Sequence, residues 1–118
     1  MHELGVVFYV IKDVKNVALE NSISKVNSVT LEIGEVSGVI HEQLTDCWNW
    51  AVKKEEILDG AELKIETIEA RSYCEDCNKD FNTVTHGKTC PYCKGGNTYL
   101  LKGNEFNIKE IEVYDADT

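Results

Sequence analysis

The sequence contains a single proline and only eight glycines in 118 residues, too few for a long disordered or low-complexity segment. It also lacks a run of about 18 apolar residues, so no segment is predicted to span a membrane. The first residues do not resemble a secretory signal, because Glu3 comes early and Lys12 and Asp13 break the apolar pattern. We therefore expect a cytoplasmic protein, in a compartment where thiols stay reduced.

A basic patch is also missing, although the charge is unevenly distributed. The formal net charge is −9, from 12 lysine and arginine against 21 aspartate and glutamate residues. Residues 71–103 contain five basic and three acidic side chains, whereas the remainder contains seven and eighteen. Nucleic-acid binding relies on clustered basic side chains that neutralise phosphates. The charge therefore argues against a nucleic-acid partner.

Two helices and three strands are predicted outside residues 71–103. Apolar residues at steps of three and four predict helices from Glu3 to about Ser24 and from about His41 to Glu56. Alternating apolar and polar residues predict strands at 29–33, 61–67 and 106–113. The last strand slips in phase between Ile108 and Ile111, which indicates a bulge or an imprecise boundary. We predict an α+β fold in which a three-stranded sheet carries two helices on one face.

Four of the five cysteines form two Cys-x2-Cys pairs separated by twelve residues: Cys74, Cys77, Cys90 and Cys93. Each pair lets two thiolates reach one ion from one tight turn, and four thiolates complete the tetrahedral shell of a structural zinc site. Gly95 or Gly96 is expected to supply the positive φ that turns backbone amides towards a sulfur. We predict a zinc-ribbon-like module at 71–103, inserted before the last strand.

Alternatives to zinc remain open for the cysteines. They could be reduced or redox-active pairs without a metal, and the Cys-Pro-x-Cys half is similar to rubredoxin, which holds iron with four such ligands. A closed shell of four thiolates does not favour catalysis at the ion. The fifth cysteine, Cys47, falls on the apolar face of the second predicted helix, where we expect a buried small hydrophobe.

The chain begins Met1-His2-Glu3, a tripeptide with a specific coordination chemistry. The Met1 amine, the His2 amide nitrogen and the His2 imidazole can chelate one ion, and the Glu3 amide can complete a plane of four nitrogens. Square-planar nitrogen donors suit Ni²⁺ or Cu²⁺. Taken alone, a histidine at position 2 is more often a solvated residue, and the same holds for His41 and His86.

Together these features resemble the HypA family of nickel metallochaperones, which mature [NiFe]-hydrogenases and in some bacteria urease. The matching segments are Met1-His2-Glu3-Leu4, Ile33-Gly34-Glu35-x-Ser37, the cysteine module, and Gly103-Asn104-Glu105. The resemblance extends over essentially the whole chain. It implies a binding and transfer protein rather than an enzyme, with a nickel domain at 1–70 and 104–118 and a zinc domain at 71–103.

The resemblance also implies ligands and partners. His2 is the key nickel ligand, the Met1 amine and the His2 and Glu3 amides complete the site, and the Glu3 side chain joins in some complexes. Zinc is held by the four cysteines. The partners are a HypB-type GTPase and the hydrogenase large subunit, with a homodimer left open. The functional alternatives are a zinc-ribbon adaptor and a small thiol or iron redox protein.

The sequence departs from the family pattern at one place. Many members have an acidic residue just before the second helix, close to the nickel site. Here Ile40 fills that place and His41 follows it. A contribution from that acid is therefore in doubt, and His41 could substitute as a donor.

Overall fold

The computed structural model describes residues 3–114. In chain order the elements are α1 (Glu3–Glu20), β1 (Val26–Gly34), α2 (His41–Val52), a 3-10 turn (Glu56–Leu58), β2 (Glu62–Ile68), β3 (Arg71–Cys74), β4 (Lys79–Asn82), α3 (Thr83–His86), β5 (Thr98–Lys102) and β6 (Phe106–Val113). The strands form two three-stranded sheets, ordered β2-β1-β6 and β4-β3-β5. The predicted α+β class is confirmed. None of the helices within residues 3–114 has the length and apolarity that crossing a bilayer requires.

The chain divides into two compact units. In the described part, the first comprises residues 3–31, 39–66 and 107–114, and the second comprises 32–38 and 67–106. The second unit contains all four paired cysteines and the whole β4-β3-β5 sheet. That sheet was not predicted, because its strands are only four or five residues long. Such short segments show too little alternation for the sequence to reveal them.

The core of the first unit comes from the apolar stripes of its helices. Most buried residues of α1 follow the predicted spacing of three and four, namely Val7, Val10, Ile11, Val14 and Ala18, and Val6 is buried beside them. In α2 the side chains of Leu44 and Trp48 are fully buried. The Trp48 indole Nε1 donates a hydrogen bond to the Ala61 carbonyl at 2.9 Å, so its polar atom is satisfied within the core.

Strand β6 shows the predicted break in its alternation. Phe106 and Ile108 are partly buried, two consecutive exposed residues follow, and Ile111 is partly buried again. The prediction for Cys47 was wrong, because this thiol is partly exposed. Helix α2 ends at Val52, and its buried face runs through Leu44 and Trp48 rather than through Cys47.

Candidate metal centre

The four paired cysteines come together in the second unit. Cys74 is the last residue of β3, Cys77 lies in the turn towards β4, and Cys90 and Cys93 lie in the loop between α3 and β5. Their four Sγ atoms all lie within 4.8 Å of one another. The Cys74–Cys93 and Cys77–Cys90 Sγ distances are 3.6 and 3.4 Å. A zinc ion with Zn–S bonds near 2.3 Å places its sulfurs about 3.8 Å apart, so the cluster fits this ion.

The two cysteine turns have the same backbone geometry. Asn78 donates its N–H to the Cys74 carbonyl, and Lys94 donates to the Cys90 carbonyl, both at 2.9 Å. Both donors have positive φ, 55° at Asn78 and 63° at Lys94. Asparagine adopts this conformation readily, whereas lysine pays a steric cost for it. The expectation that a glycine supplies the positive φ was wrong.

Gly95 instead packs closely against the thiol cluster. A Cβ atom at this position would lie 3.3 Å from the Cys93 Sγ and 3.5 Å from the Asp76 Oδ2. Asp76, which accepts a hydrogen bond from the Asn97 Nδ2 at 3.1 Å, therefore lies beside the thiol cluster. Asp76 was not predicted to belong to the site, although it lies between the two cysteines of the first Cys-x2-Cys pair.

The local environment separates the acidities of the thiols. Burial opposes the ionisation of Cys90, but the backbone N–H groups of Cys93 and Tyr92 outweigh it and lower the pKa of Cys90 to about 7. Burial and the neighbouring thiols raise the pKa of Cys77 to about 12. Cys90 is thus ready to ionise, while Cys77 needs a nearby cation to do so. A bound dication provides that charge, and its binding releases protons.

The thiol cluster has a buried side and an exposed side. Cys74 and Cys90 are fully buried and form a small apolar cluster with Phe81. Cys93 is exposed and Cys77 is partly exposed. His86, at the end of α3, lies edge-on to the Phe81 ring, with the ring centroids 6.1 Å apart. So small a core cannot by itself offset the entropy of ordering the module, so a metal ion is the expected source of stability.

The other predicted ligands belong to the start of the chain. Met1 and His2 lie outside the described residues. Glu3 is the first residue of α1, and its Oε2 accepts a hydrogen bond from the Ile40 N–H at 3.3 Å. Ile40 caps α2 without a side-chain hydrogen bond of its own, and His41 is the first residue of that helix. Across residues 3–114, the four cysteines are the one group of three or more potential ligands close enough to share an ion.

The chain is similar to proteins of one known family. A family model described as "Hydrogenase/urease nickel incorporation, metallochaperone, hypA" matches residues 1–113. The hydrogenase maturation factor HypA of Dehalococcoides mccartyi is 33% identical over 115 residues, covering 98% of this chain and 96% of the relative. The protein of the same name from Geotalea uraniireducens is 34% identical over 114 residues, covering 96% and 99%.

Two solved structures have the same fold. The solution structure of the Ni metallochaperone HypA from Helicobacter pylori superposes with a TM-score of 0.70 at 24% identity, covering 96% of this chain and 97% of that one. A second solution structure of a HypA protein superposes with a TM-score of 0.71 at 26% identity, covering 97% of each chain. The likeness extends over both compact units of the present chain.

Proposed function

We propose that the N-terminus of this chain carries nickel, since the chain belongs to the HypA family of nickel metallochaperones for hydrogenase maturation. Ni²⁺ is held by the Met1 amine, the imidazole and amide nitrogens of His2, and the amide nitrogen of Glu3. Four nitrogens in a plane match the preference of this ion. The proposal is supported by the tripeptide itself, by the family match, and by the position of Glu3 at the start of α1.

The observation that carries the proposal furthest is the contact between Glu3 and Ile40. The Glu3 carboxylate lies at the N-terminal end of α2, where an acceptor and a negative charge are both stabilising. The acidic residue that many family members have just before α2 is absent here, because Ile40 occupies that position and its side chain has no oxygen. We infer that the Glu3 side chain anchors the start of α1, while its backbone amide serves the ion. The role of the side chain is positioning rather than coordination.

We propose that Cys74, Cys77, Cys90 and Cys93 hold a structural Zn²⁺. The close approach of the four sulfurs, all within 4.8 Å of one another, and the four-thiolate ligand set support zinc in a scaffold role. Residues 71–103 then act as the zinc module, and residues 1–70 and 104–118 as the nickel domain. The family match disfavours the two functional alternatives, a zinc-ribbon adaptor and a small redox protein.

The further roles follow from family membership and charge. We propose a cytoplasmic carrier without catalytic activity, which exchanges nickel with a HypB-type GTPase and delivers it to the hydrogenase large subunit. Urease as a second recipient, and a homodimer as the working form, are extensions of the same proposal. Outside residues 71–103 the chain has 18 acidic against 7 basic residues, and this excess favours cation capture.

Calorimetric titration of untagged, zinc-loaded protein with Ni²⁺ tests the nickel site. Wild type should bind one Ni²⁺ ion, His2→Ala should lose this binding, and a short N-terminal extension should abolish it by removing the free amine. His86→Ala is the control, because this exposed histidine lies in the second unit, and it should bind as wild type does. Affinity should fall with falling pH, because protons compete for the same nitrogens. Equal binding by wild type and His2→Ala would overturn the proposal.

A further inference from the structure

Three stretches of the second unit meet beside the first residues of β3 and the last residues of β5. They are residues 34–36, residues 68–70 and residues 103–105, and together we name them the clasp. Hydrogen bonds of 2.8 to 2.9 Å join the first stretch to the other two: Glu35 N to Ile68 O, Ala70 N to Glu35 Oε1, Val36 N to Gly103 O, and Gly34 N to Glu105 O. Residues distant in sequence are thereby tied at one point.

Two glycines let the stretches of the clasp approach one another. A Cβ atom on Gly34 would lie only 1.9 Å from the Gly103 carbonyl oxygen. Gly103 has a φ of +122°, and a Cβ there would lie 2.4 Å from the Ala70 Cβ. Both positions therefore require glycine, one for space and the other for space and conformation.

Two carboxylates complete the clasp by accepting hydrogen bonds from buried backbone. Glu35 Oε1 accepts from the Ala70 N–H, and Glu105 Oε1 accepts from the Gly103 N–H, both at 2.8 Å. Ala70 and Gly103 are buried, so these amides have little access to water. A buried N–H that loses its acceptor carries a free-energy penalty, and bonds to a charged acceptor are the stronger ones.

The clasp and the cysteines lie at opposite ends of one antiparallel ladder. Strands β3 and β5 pair from Arg71 opposite Lys102 to Cys74 opposite Thr98. The Glu75 N–H then donates to the Asn97 carbonyl at 3.0 Å. The three steps from Arg71 to Cys74 span about 10 Å at roughly 3.3 Å per residue. The ladder is thus closed by the clasp at one end and by Cys74 and its metal at the other.

We propose that Glu35 and Glu105 are positioning residues for the four-cysteine site, because they keep paired the ladder that carries Cys74. The inference rests on the proposed zinc site. Full release of the ion requires the Cys74 Sγ to leave it, and Cys74 ends a strand that is paired with β5 on one side and with β4 on the other. With the clasp intact, the Arg71 end of β3 is also fixed. Without the carboxylates that end is held by strand pairing alone, so β3 separates from its neighbours more often and the ion leaves faster.

The test is the rate of zinc release from the full-length protein to an excess of a chromogenic chelator. Glu35→Ala and Glu105→Ala should each release zinc on the order of tenfold faster, since a buried amide loses its acceptor. Glu35→Gln and Glu105→Gln keep an acceptor oxygen and should release zinc at nearly the wild-type rate. Asn104→Ala is the matched control, because that side chain is exposed and makes no hydrogen bond within residues 3–114.

Two further readouts separate positioning from general destabilisation. Hydrogen exchange at the Ala70 amide should accelerate in Glu35→Ala but not in Glu35→Gln, while the Trp48 indole N–H in the first unit should stay protected. The ligand-field bands of the Co²⁺-substituted protein should keep their four-thiolate form in every variant. If Glu35→Ala does not fold, Glu35→Asp keeps the charge, withdraws the oxygen by one methylene, and should also speed release.

Wild-type release rates in both alanine variants would overturn the inference. So would equal acceleration in Glu35→Ala and Glu35→Gln, or a parallel loss of protection at Trp48. A failure of the proposed zinc site is distinguishable, because wild type itself would then bind neither Zn²⁺ nor Co²⁺ at the four thiols.

Discussion

The two units of the chain are stabilised by different means. The first has a core of fully buried side chains from α1, α2 and the 3-10 turn, among them Val14, Trp48 and Leu58. The second buries fewer apolar side chains, Ile33 and Ala70 besides the small cluster of Phe81, Cys74 and Cys90. Burying a large apolar side chain contributes about 1.5–3 kcal/mol, so the first unit has a source of stability that the second has in much smaller measure. The comparison teaches that a metal ion at the proposed four-cysteine site would take the place of a larger core in the second unit.

Among the predicted effects, removal of the metal should produce the largest difference in stability between the two units. A strong chelator should unfold the second unit, since binding of structural zinc is worth on the order of 10 kcal/mol. The first unit should persist, and its fluorescence reports it cleanly because Trp48 and Trp50, the two tryptophans of the chain, both lie in α2. Amide spectra would show dispersion lost at Phe81 but kept at Trp48.

The control for metal removal is Cys47→Ser, which changes the cysteine outside the cluster. This variant should keep its zinc and both sets of signals, because Cys47 lies in α2 and is not a ligand. Loss of the Trp48 signal on chelation would show that the two units are not stabilised separately. An unchanged spectrum at Phe81 would show that the second unit needs no metal.

Trp48→Ala should lower the stability of the first unit and leave the metal site of the second unit unchanged. Its fully buried ring and its hydrogen bond to Ala61 are lost together, at a cost of about 3–5 kcal/mol of unfolding free energy. Urea unfolding followed by circular dichroism measures this. Trp50→Ala is the control, because that ring is 50% exposed and the Lys54 ammonium lies 3.7 Å from its centroid, so about 1 kcal/mol or less is expected. Similar losses in the two variants would contradict the assignment of the core.

Gly95→Ala should weaken the second unit at its metal site. The added Cβ would lie 3.3 Å from the Cys93 Sγ, so the sulfur must shift while the ion holds it. Crowding of this kind typically costs about 1–3 kcal/mol, and zinc affinity from chelator competition should fall accordingly. The neighbouring Gly96→Ala is the control, since a Cβ there meets nothing within 4 Å. Equal zinc affinities in the two variants would be inconsistent with the described site.

The comparison also explains which features were predictable from the sequence. Helix α1 and strand β1 have periodic patterns of apolar residues, and the cysteine spacing by itself predicts a metal site. The positive φ of Lys94 belongs to the local turn that its N–H closes onto the Cys90 carbonyl, and the cysteine spacing did not reveal it. The contact between Glu3 and Ile40 and the clasp around Glu35 are set by tertiary packing. No local pattern encodes a pairing between residues more than thirty positions apart.

The smallest expected effect is electrostatic and belongs to the first unit. Hydrogen bonds from the Lys64 ammonium and the Ser28 hydroxyl, each 2.8 Å long, lower the pKa of Glu112 below its usual value. A lowered folded-state pKa contributes stability above the unfolded value of about 4.3 and loses it as pH falls through the folded value. Glu112→Gln should therefore be slightly less stable than wild type at neutral pH, and the difference should vanish in acid.

Both partners of this pair are about half exposed, so its contribution should be small and should shrink as salt is added. Thermal unfolding of wild type and Glu112→Gln across pH and salt concentration measures it. Glu110→Gln is the matched control, because Glu110 acts on Lys64 through its charge without a hydrogen bond and should show a weaker pH dependence. A stability difference that persists below the pKa of Glu112 would assign the effect to packing rather than to charge.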